Sequence, residues 1–383
     1  MLQTLIGSLS LAAWLKLVFG NGRFWQYGPE LHQTHSEASS WPDVAVIVPA
    51  RDEAETVALC IRSLLNQDYG GKLSVFVVDD RSRDGTGDIA RSVADPEGRL
   101  TVIDGQPRPA GWSGKLWAVH QGEQEAIRHL GPDGFILLTD ADIVHEPGHL
   151  STLVHKAISE HLDLVSEMVR LNCESAAERA LVPAFVYFFA MLYPFARVND
   201  HNSPMAGAAG GTILLRRNAL ERIGGIGVVR GALIDDCTLA AHVKRSGGRL
   251  YLGHSTLARS LRPYVGAPDI WRMIARTAYV QLRYSPVLLL LTLFAMGLVW
   301  FVPVALTVFG RGRGRALGAV AWGLSMASFV PTLRRFGLSP WRVIPLPLVA
   351  AFYMAATIGS ALDHYRGKGV RWKDRAYTEE VQG

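Results

Sequence analysis

The segment from Pro286 to Phe309 reads PVLLLLTLFAMGLVWFVPVALTVF and contains no charged side chain. A helix of roughly 20 consecutive apolar residues is long enough to cross the core of a bilayer. Lipid offers no partners to peptide N–H and C=O groups, so a crossing segment of this kind has to be helical. The segment therefore predicts a transmembrane helix, and the fold of the remaining chain has to be compatible with a membrane.

Further apolar segments lie towards both ends of the chain. Leu5 to Phe19 is almost wholly apolar, and no small-residue cleavage site follows it, so we expect an uncleaved membrane anchor over residues 1–20. Residues 316–333 and 343–362 are weaker candidates for membrane spans. We therefore predict a C-terminal transmembrane region over residues 286–363.

The formal net charge is +5, and many basic residues flank the apolar segments or lie in a predicted basic tail over residues 364–383. Basic residues beside apolar spans usually mark the cytoplasmic side of a membrane protein, so we expect no nucleic-acid partner. The three cysteines have no paired spacing, which predicts neither a disulfide framework nor a zinc site.

Between residues 41 and 260, short apolar runs alternate with amphipathic stretches, as in β-α units over a largely parallel sheet. The predicted strands are VAVIVP, LSVFVVDD, LTVI, FILLTDADI, DLVSEM and TILL. The Gly-rich loop GWSGK is expected to enter a helix near Ser113, and Pro147 is well placed to start another. We therefore predict an α/β domain with a mostly parallel, Rossmann-like sheet.

Three of the predicted strands end in polar residues: Pro49-Ala50-Arg51-Asp52-Glu53, Asp79-Asp80-Arg81-Ser82 and Asp140-Ala141-Asp142. In open α/β sheets, ligands bind beyond the carboxyl ends of the strands. A single acidic strand end is often a helix cap. Three such ends on one edge of a sheet favour a binding site instead.

Carboxylate oxygens suit Mg²⁺ or Mn²⁺, and Mg²⁺ commonly takes one or two carboxylates together with water and phosphate. Asp140 and Asp142 at a strand end therefore fit a site for a divalent cation and a diphosphate. Lys115 could supply a positive charge to phosphate oxygens. Gly111 and Gly114 would let the backbone approach such a ligand closely.

Two neighbouring motifs have competing interpretations. HEPGH at His145–His149 matches the H-E-x-x-H zinc pattern, but Pro147 and Gly148 are incompatible with the continuous helix that the pattern needs, which favours a loop that enters a helix. Asp235 and Asp236 precede an amphipathic helix, where acids are favoured by the helix dipole. They are either a plain cap or a general base near the metal site, and spacing alone leaves both open.

The motifs VIVPARDE, VVDDRSRDGT, GWSGKLWAVHQG, LLTDADI, GAAGGTILLRR and IDDCTLAAHVKRSGGR occur in this order. The set resembles the inverting family 2 glycosyltransferases, which have the GT-A fold. With its terminal apolar segments, the chain is most similar to the hopanoid-biosynthesis-associated glycosyltransferases and, through them, to ceramide glucosyltransferases. The resemblance covers nearly the whole chain and implies transfer of a sugar from a nucleotide-sugar donor to a membrane lipid.

The resemblance also implies roles for single residues. Asp140 and Asp142 would hold the divalent cation, Asp140 would also meet the sugar nucleotide, and Asp236 of the Asp235–Asp236 pair would be the general base. Gly210 and Gly211 would shape the floor for the donor sugar and the acceptor. The remaining nucleotide-sugar-binding residues would be Pro49, Ala50, Arg51, Glu53, Asp79, Asp80 and Lys115.

One motif departs from the family pattern. Related processive and ceramide-type enzymes carry Q/R-x-x-R-W after the catalytic acid, whereas this chain has VQLRY at Val280–Tyr284. We expect Arg283 and Tyr284 to meet the diphosphate and the acceptor, within an interfacial or acceptor segment over residues 261–285. The altered motif and the few spans argue against a processive polymer synthase.

A lipid acceptor would also account for Ala180–Ala196, an aromatic and apolar stretch that is either a core helix broken at Pro183 and Pro194 or, as we favour, an interfacial helix. Sugar nucleotides are cytosolic, so we expect the bacterial inner membrane with the catalytic domain facing the cytoplasm. If all C-terminal segments cross, the RGRGR loop and the basic tail lie outside, against the positive-inside tendency. One of these segments is then re-entrant or interfacial.

Two other functions compete with a lipid glycosyltransferase. A polyprenyl-phosphate sugar synthase would use a phosphate as its acceptor and would need little help from a general base. A non-catalytic membrane scaffold would not need the complete set of acids, and the presence of that set argues against it.

Overall fold

The computed structural model describes residues 1–33 and 40–367, together with the backbone of a short antiparallel strand pair at 371–372 and 375–376. Most of the predicted basic tail lies outside the described residues. The chain forms two compact units. The sheet unit contains residues 40–172 and 197–262 with the segment just before them, and the helical unit contains residues 1–28, 173–196 and 263–367.

The sheet unit is built on nine strands. In chain order they are β1 (Glu30–Leu31), β2 (Val44–Ala50), β3 (Leu73–Asp79), β4 (Leu100–Asp104), β5 (Phe135–Thr139), β6 (Ile143–His145), β7 (Leu164–Arg170), β8 (Thr212–Arg216) and β9 (Leu250–Ser260). They pair in the order β1-β9-β7-β8-β5-β2-β3-β4, and β6 pairs with β9. The pairs that involve β8 and the β6–β9 pair are antiparallel, and the others are parallel. The predicted α/β class with a mostly parallel sheet is confirmed.

The helices are α1 (Leu2–Gly20), α2 (Val57–Leu65), α3 (Thr86–Arg91), α4 (Gly114–His129), α5 (His149–Ser159), α6 (Ala176–Leu192), α7 (Phe195–Asn199), α8 (Arg217–Ile223), α9 (Asp235–Arg245), α10 (Ala267–Gln281), α11 (Pro286–Met296), α12 (Val302–Phe309), α13 (Gly312–Arg335) and α14 (Leu346–Tyr365). A π-helical turn at Gly297–Phe301 joins α11 to α12. Every residue of β2 is buried, as expected for a parallel strand covered on both faces.

The predicted strands of the sheet unit are confirmed, and one long strand was missed. Strand β9 follows the Gly247-Gly248 turn directly and pairs with β7, β1 and β6. The helix expected to start at Pro147 begins two residues later, at His149, with Gly148 as its N-cap. Its preceding residues form β6 rather than a simple loop.

Among the described residues, four helical segments are long and apolar enough to cross a membrane: Leu2–Gly20, Pro286–Phe309, Gly312–Arg335 and Leu346–Tyr365. The RGRGR stretch is mostly not a loop, because α13 already begins at Gly312 and only Gly310 and Arg311 connect it to α12.

Three of these segments, α1, α11–α12 and α13, lie side by side in the helical unit. The Arg311 backbone N–H donates to Gln3 Oε1 at 3.2 Å, and the Arg335 guanidinium lies 5.0 Å from the centre of the Tyr27 ring. Helix α1 therefore runs parallel to α13 and antiparallel to α11–α12. Ser10 Oγ and Trp14 Nε1 each donate at 2.8 Å to the carbonyls of Leu298 and Val299, within the π-helical turn. These bonds satisfy carbonyls at a point where the helical hydrogen-bond pattern changes.

Residues 173–196 fall inside the predicted 41–260 domain but belong to the helical unit. They form α6, which continues through Pro183 and ends at Leu192, so the chain breaks only before Pro194. The Tyr187 hydroxyl lies 2.7 Å from Ser328 Oγ, and Tyr187 is buried. Helix α6 is therefore packed against other helices of its unit along one face.

Candidate active site

The carboxyl ends of β2, β3 and β5 lie next to one another because these strands are neighbours in the sheet. Ala50 pairs with Asp79, and both mark the ends of their strands. Strand β8 is antiparallel to β5, with Thr212 opposite Thr139, so the chain enters β8 at this same edge. The structure thus brings the three acidic strand ends and the glycine-rich segment Gly210-Gly211 together.

A pocket opens at this edge of the sheet. It is lined by Pro49, Lys115, Leu116, Val119, Leu138, Thr139, Asp140, Gly210, Ile213, Ile226, Val229, Asp235, Asp236 and Leu239. Of the four acidic groups singled out in the sequence, the D-x-D turn and the Asp235–Asp236 pair contribute to this cavity, together with one cation, Lys115.

Lys115 is held at the centre of the polar side of the pocket. Ser113 caps α4 by accepting the Leu116 N–H at 3.2 Å, which starts the helix immediately before Lys115. The Lys115 Nζ atom lies 2.8 Å from Asp140 Oδ1 and 3.4 Å from Asp235 Oδ2. One ammonium therefore links the D-x-D turn after β5 to the acidic pair that begins α9.

Asp236 lies deeper than Asp235 and is bound by backbone donors. The N–H groups of Cys237 and Gly210 donate to its carboxylate, the former at 2.7 Å. A Cβ atom at Gly210 would come within 3.3 Å of Asp236 Oδ2, so glycine keeps this approach open. Burial and, secondly, the neighbouring Asp235 carboxylate raise the pKa of Asp236 to about 6. A carboxylate in this state can accept a proton near neutral pH.

Asp142 faces a different cation from Asp140. Its side chain is only 9% exposed, and its Oδ2 accepts from Arg262 Nε at 2.8 Å. Arg262 also donates from Nη2 to Glu53 Oε1 at 2.7 Å. Arg262 thus joins the loop after β2 to the D-x-D turn.

The loop after β2 is fixed by a buried ion pair. Arg51 is 5% exposed and Asp80 is fully buried, and Arg51 Nη1 donates to the Asp80 backbone carbonyl and lies 3.5 Å from Asp80 Oδ2. Asp79 Oδ1 accepts the Ser82 N–H at 3.1 Å, which shapes the turn after β3. These contacts tie together the two loops that the family resemblance assigns to nucleotide binding.

The carboxylates at this edge of the sheet are compatible with a divalent cation that also binds a substrate. Within residues 1–33 and 40–367, no three His, Cys, Asp or Glu side chains converge closely enough to hold an ion by themselves. Mg²⁺ and Mn²⁺ often rely on one or two carboxylates and complete their shell with phosphate and water. Asp140, whose side chain is 37% exposed at the pocket, suits this arrangement.

The HEPGH stretch does not form a zinc site. His145 ends β6 and His149 begins α5, so the two rings do not lie one turn apart on one helix. Their Nδ1 atoms are 2.9 Å apart, and both rings are buried. A hydrogen bond between the two rings occupies the atoms that would otherwise ligate a metal.

The comparisons with known proteins agree with this geometry. Residues 135–358, more than half of the chain, match the family described as Glycosyl transferase family group 2, and residues 45–224 match Glycosyl transferase family 2. The chain belongs to glycosyl transferase family group 2. The prediction of a family 2 glycosyltransferase is confirmed at the level of the family.

Relatives of this glycosyltransferase share parts of its sequence. An N-acetylglucosaminyltransferase of Rhizobium leguminosarum bv. viciae is 30% identical over 40% of the chain and 35% of its own length. The succinoglycan biosynthesis protein ExoO of Rhizobium meliloti is 30% identical over 37% of the chain and 40% of its own length. The chain therefore spans well under half the length of these two curated relatives.

The mannosyltransferase PcManGT from Pyrobaculum calidifontis, solved with GDP-Man and Mn²⁺, resembles this glycosyltransferase in fold. The TM-score is 0.54 at 20% identity, with 94% of this chain and 99% of that chain covered. The likeness confirms the GT-A fold.

Arg262 is the main site residue that the sequence analysis missed. It lies two residues after β9, and β9 was itself not predicted, so no strand end pointed to it. The sequence feature that could have indicated β9, and with it Arg262, is the apolar run that follows Gly247-Gly248 and ends in ARSLR. Arg283 and Tyr284 belong to the helical unit, where both adopt positive φ angles and Tyr284 stacks on His364 at 4.5 Å.

Proposed function

We propose that the chain is a membrane-bound inverting glycosyltransferase that moves a sugar from a nucleotide-sugar, specifically a UDP-sugar, to a hydroxyl group of a membrane lipid. The observation that carries this proposal is the position of Asp236. A proton-accepting carboxylate shares one pocket with Lys115 and Asp140, which suit the diphosphate of a sugar nucleotide.

The donor would lie along the ends of β2, β3 and β5. Pro49 lines the pocket, and the loops that carry Ala50, Arg51, Glu53, Asp79 and Asp80 are cross-linked beside it. Lys115 would bind the diphosphate oxygens and stabilise the negative charge that grows as the bond to the sugar breaks.

Asp140 and Asp142 would hold a divalent cation, Mg²⁺ or Mn²⁺. Such an ion supplies Lewis-acid stabilisation of the leaving diphosphate. Asp140 already meets Lys115, and Asp142 already meets Arg262, so both carboxylates are oriented by cations of the chain itself.

The acceptor hydroxyl would attack the anomeric carbon from the side opposite the diphosphate, which inverts that carbon. As the new C–O bond forms, the hydroxyl proton passes to Asp236 and the diphosphate leaves with the electron pair of the broken bond. A positioned base of this kind typically contributes ~10²- to 10⁴-fold. Gly210 and Gly211 would line the floor below the sugar and the acceptor.

The acceptor is proposed to be a lipid because the helical unit carries four apolar helices of membrane length. The resemblance of the ordered motifs to hopanoid-associated glycosyltransferases favours hopanoid lipid biosynthesis. Sugar nucleotides are cytosolic, so the sheet unit would face the cytoplasm at the bacterial inner membrane.

Three of these helices would cross the bilayer, and α14 would lie in its surface. The chain enters α14 shortly after Arg335, which lies at the Tyr27 end of α1. At its other end, the Tyr365 hydroxyl lies 2.8 Å from the Tyr279 hydroxyl, just before α11 begins. Since α11–α12 runs antiparallel to α1, the start of α11 also lies towards the Tyr27 end. Both ends of α14 would then lie on one side of the three aligned segments, as the interfacial segment expected from the charges requires.

The rival polyprenyl-phosphate sugar synthase would not need Asp236, because a phosphate acceptor is already ionised. The raised pKa of Asp236, caused by burial and then by the Asp235 carboxylate, favours an acceptor that has to lose a proton. A variant that lacks both Asp235 and Asp236 separates the two, since only the rival would remain active.

The donor class is tested by displacement of a fluorescent UDP analogue with a panel of UDP-, GDP- and CDP-sugars in the presence of Mn²⁺. The proposal predicts displacement by one or more UDP-sugars at lower concentrations than by GDP- or CDP-sugars. Absence of binding by every UDP-sugar would overturn the proposed donor.

A further inference from the structure

A chain of buried polar groups runs behind the candidate active site. The Thr139 hydroxyl donates to the Gly211 carbonyl at 2.9 Å and lies 3.1 Å from His145 Nε2. His145 Nδ1 lies 2.9 Å from His149 Nδ1, and His149 Nε2 lies 2.5 Å from Glu167 Oε1. Each of these four side chains is at most 4% exposed.

The direction of the hydrogen bonds follows from the Thr139 end. Thr139 uses its proton on Gly211, so its oxygen accepts the Nε2 proton of His145. Burial, and then the neighbouring His149, lower the pKa of His145 well below its usual value, so the ring is neutral and its Nδ1 is an acceptor. His149 then donates from its own Nδ1, and its Nε2 lies 2.5 Å from Glu167 Oε1.

Burying such a row of polar and ionisable side chains costs free energy, because they lose their hydration. A buried carboxylate or imidazole without a partner is strongly destabilising, and a buried ion pair often adds no net stability over apolar side chains of similar size. Glu167 stands in the middle of β7 and is fully buried. A role other than stability is therefore the better explanation.

The row of buried polar groups ends at two elements of the candidate site. Thr139 immediately precedes Asp140, and Gly211 immediately follows Gly210, whose N–H donates to Asp236. The bond from Thr139 to Gly211 ties these two elements together, and the histidines connect that bond to β7. The same buried polar groups therefore hold both the D-x-D turn and the segment that binds the Asp236 carboxylate.

We propose that His145, His149 and Glu167 are positioning residues that set the distance between the cation-binding turn and the Asp236 carboxylate. The proposal rests on the proposed function, because it names the support of that same site. Breaking this row of contacts at Glu167 should loosen binding of the metal-bound nucleotide without changing any residue that lines the pocket.

The test compares Glu167→Leu with Glu167→Gln in the full chain. Leucine has no polar atom to place beside His149, whereas the glutamine side chain keeps a polar group next to His149 Nε2 at nearly constant shape. The probe is Mn²⁺ with UDP, measured by the loss of the free-Mn²⁺ electron paramagnetic resonance signal. We expect at least tenfold weaker binding in Glu167→Leu and less than threefold change in Glu167→Gln.

A second pair keeps the test valid if Glu167→Leu does not fold. Thr139→Val removes the hydroxyl at the other end at nearly constant shape, and Thr139→Ser retains it. The same ordering is expected, with weak binding by the valine variant and near-normal binding by the serine variant. Equal binding by the members of a pair that both fold would overturn the proposal.

Histidine tautomers give a readout that needs neither nucleotide nor transfer. Nitrogen-15 spectra of the wild type should show a neutral His145 with its proton on Nε2 and a His149 with a proton on Nδ1. A proton on Nδ1 of His145 would overturn the inferred chain. If the tautomers are as expected but no sugar nucleotide binds, the proposed function fails while the buried chain stands.

Discussion

The Lys115 Nζ atom lies 2.8 Å from Asp140 Oδ1, so the cation at the start of α4 is already bound to the acid that follows β5. The same ammonium is 3.4 Å from Asp235. Helix α4, strand β5 and helix α9 therefore meet at one charged group. A diphosphate entering the pocket would find a positive charge that needs little rearrangement, which is the condition for efficient electrostatic stabilisation.

Replacing Lys115 tests this role. We expect Lys115→Met to lower kcat/KM by roughly 10²- to 10³-fold, the usual effect of removing one group that stabilises developing negative charge. Lys115→Arg is the matched control because it retains the charge, and it should lose less activity. Steady-state kinetics with a saturating acceptor would measure both, and equal losses in the two variants would contradict an electrostatic role.

The pH dependence tests Asp236. Burial and the Asp235 carboxylate raise its pKa to about 6, so the side chain is protonated and unable to accept a proton below that pH. We therefore expect kcat/KM to rise with pH and to level off above a midpoint near 6. Lys115 lowers the pKa of Asp236, so the midpoint should move to higher pH in Lys115→Met. A flat profile from pH 5 to 8 would exclude Asp236 as the base.

The sequence predicted the strands and the convergence of their ends well, because these depend on local patterns. VAVIVP and FILLT are continuous apolar runs, and parallel strands place their carboxyl ends on one edge. The pairing of Arg262 with Asp142 and Glu53 could not be predicted in the same way. It depends on strand β9 reaching the site from far along the chain, and no local pattern encodes that distance.

The buried His145–His149 pair was also beyond local reasoning. The spacing of HEPGH suggested either zinc or a loop, whereas the structure places one histidine on a strand and the other on a helix. Their partners Thr139 and Glu167 come from two further strands. Tertiary packing alone brings these four residues into contact.

The ion pair between Arg51 and Asp80 predicts a stability effect. Both side chains are buried, so Asp80→Ala removes the buried carboxylate beside the Arg51 guanidinium and leaves the more exposed Asp52, at 3.8 Å, as the acid next to it. Loss of one partner of a buried pair is expected to cost about 3–5 kcal/mol. Thermal unfolding should show a clear decrease in Tm. Asp88→Ala is the matched control, because Asp88 is exposed and should change Tm little.

The proposed in-plane position of α14 predicts where introduced cysteines react. Ser339→Cys and Arg366→Cys lie beyond the two ends of α14, and Arg311→Cys lies between α12 and α13. In a Cys173→Ala background, a membrane-impermeant maleimide added to intact spheroplasts should label only Arg311→Cys. Labelling of Arg366→Cys under the same conditions would show that α14 crosses the bilayer.

The most direct test of the central claim is transfer of a labelled sugar into lipid by the wild type and by Asp236→Asn. Purified full-length protein would be incubated with Mn²⁺, membrane lipids and each radiolabelled UDP-sugar, and the organic phase would then be counted. We expect label in lipid with the wild type, a decrease of ~10²- to 10⁴-fold in Asp236→Asn, and unchanged UDP binding by that variant. Undiminished transfer by Asp236→Asn, or no lipid label with any UDP-sugar, would contradict the proposed mechanism.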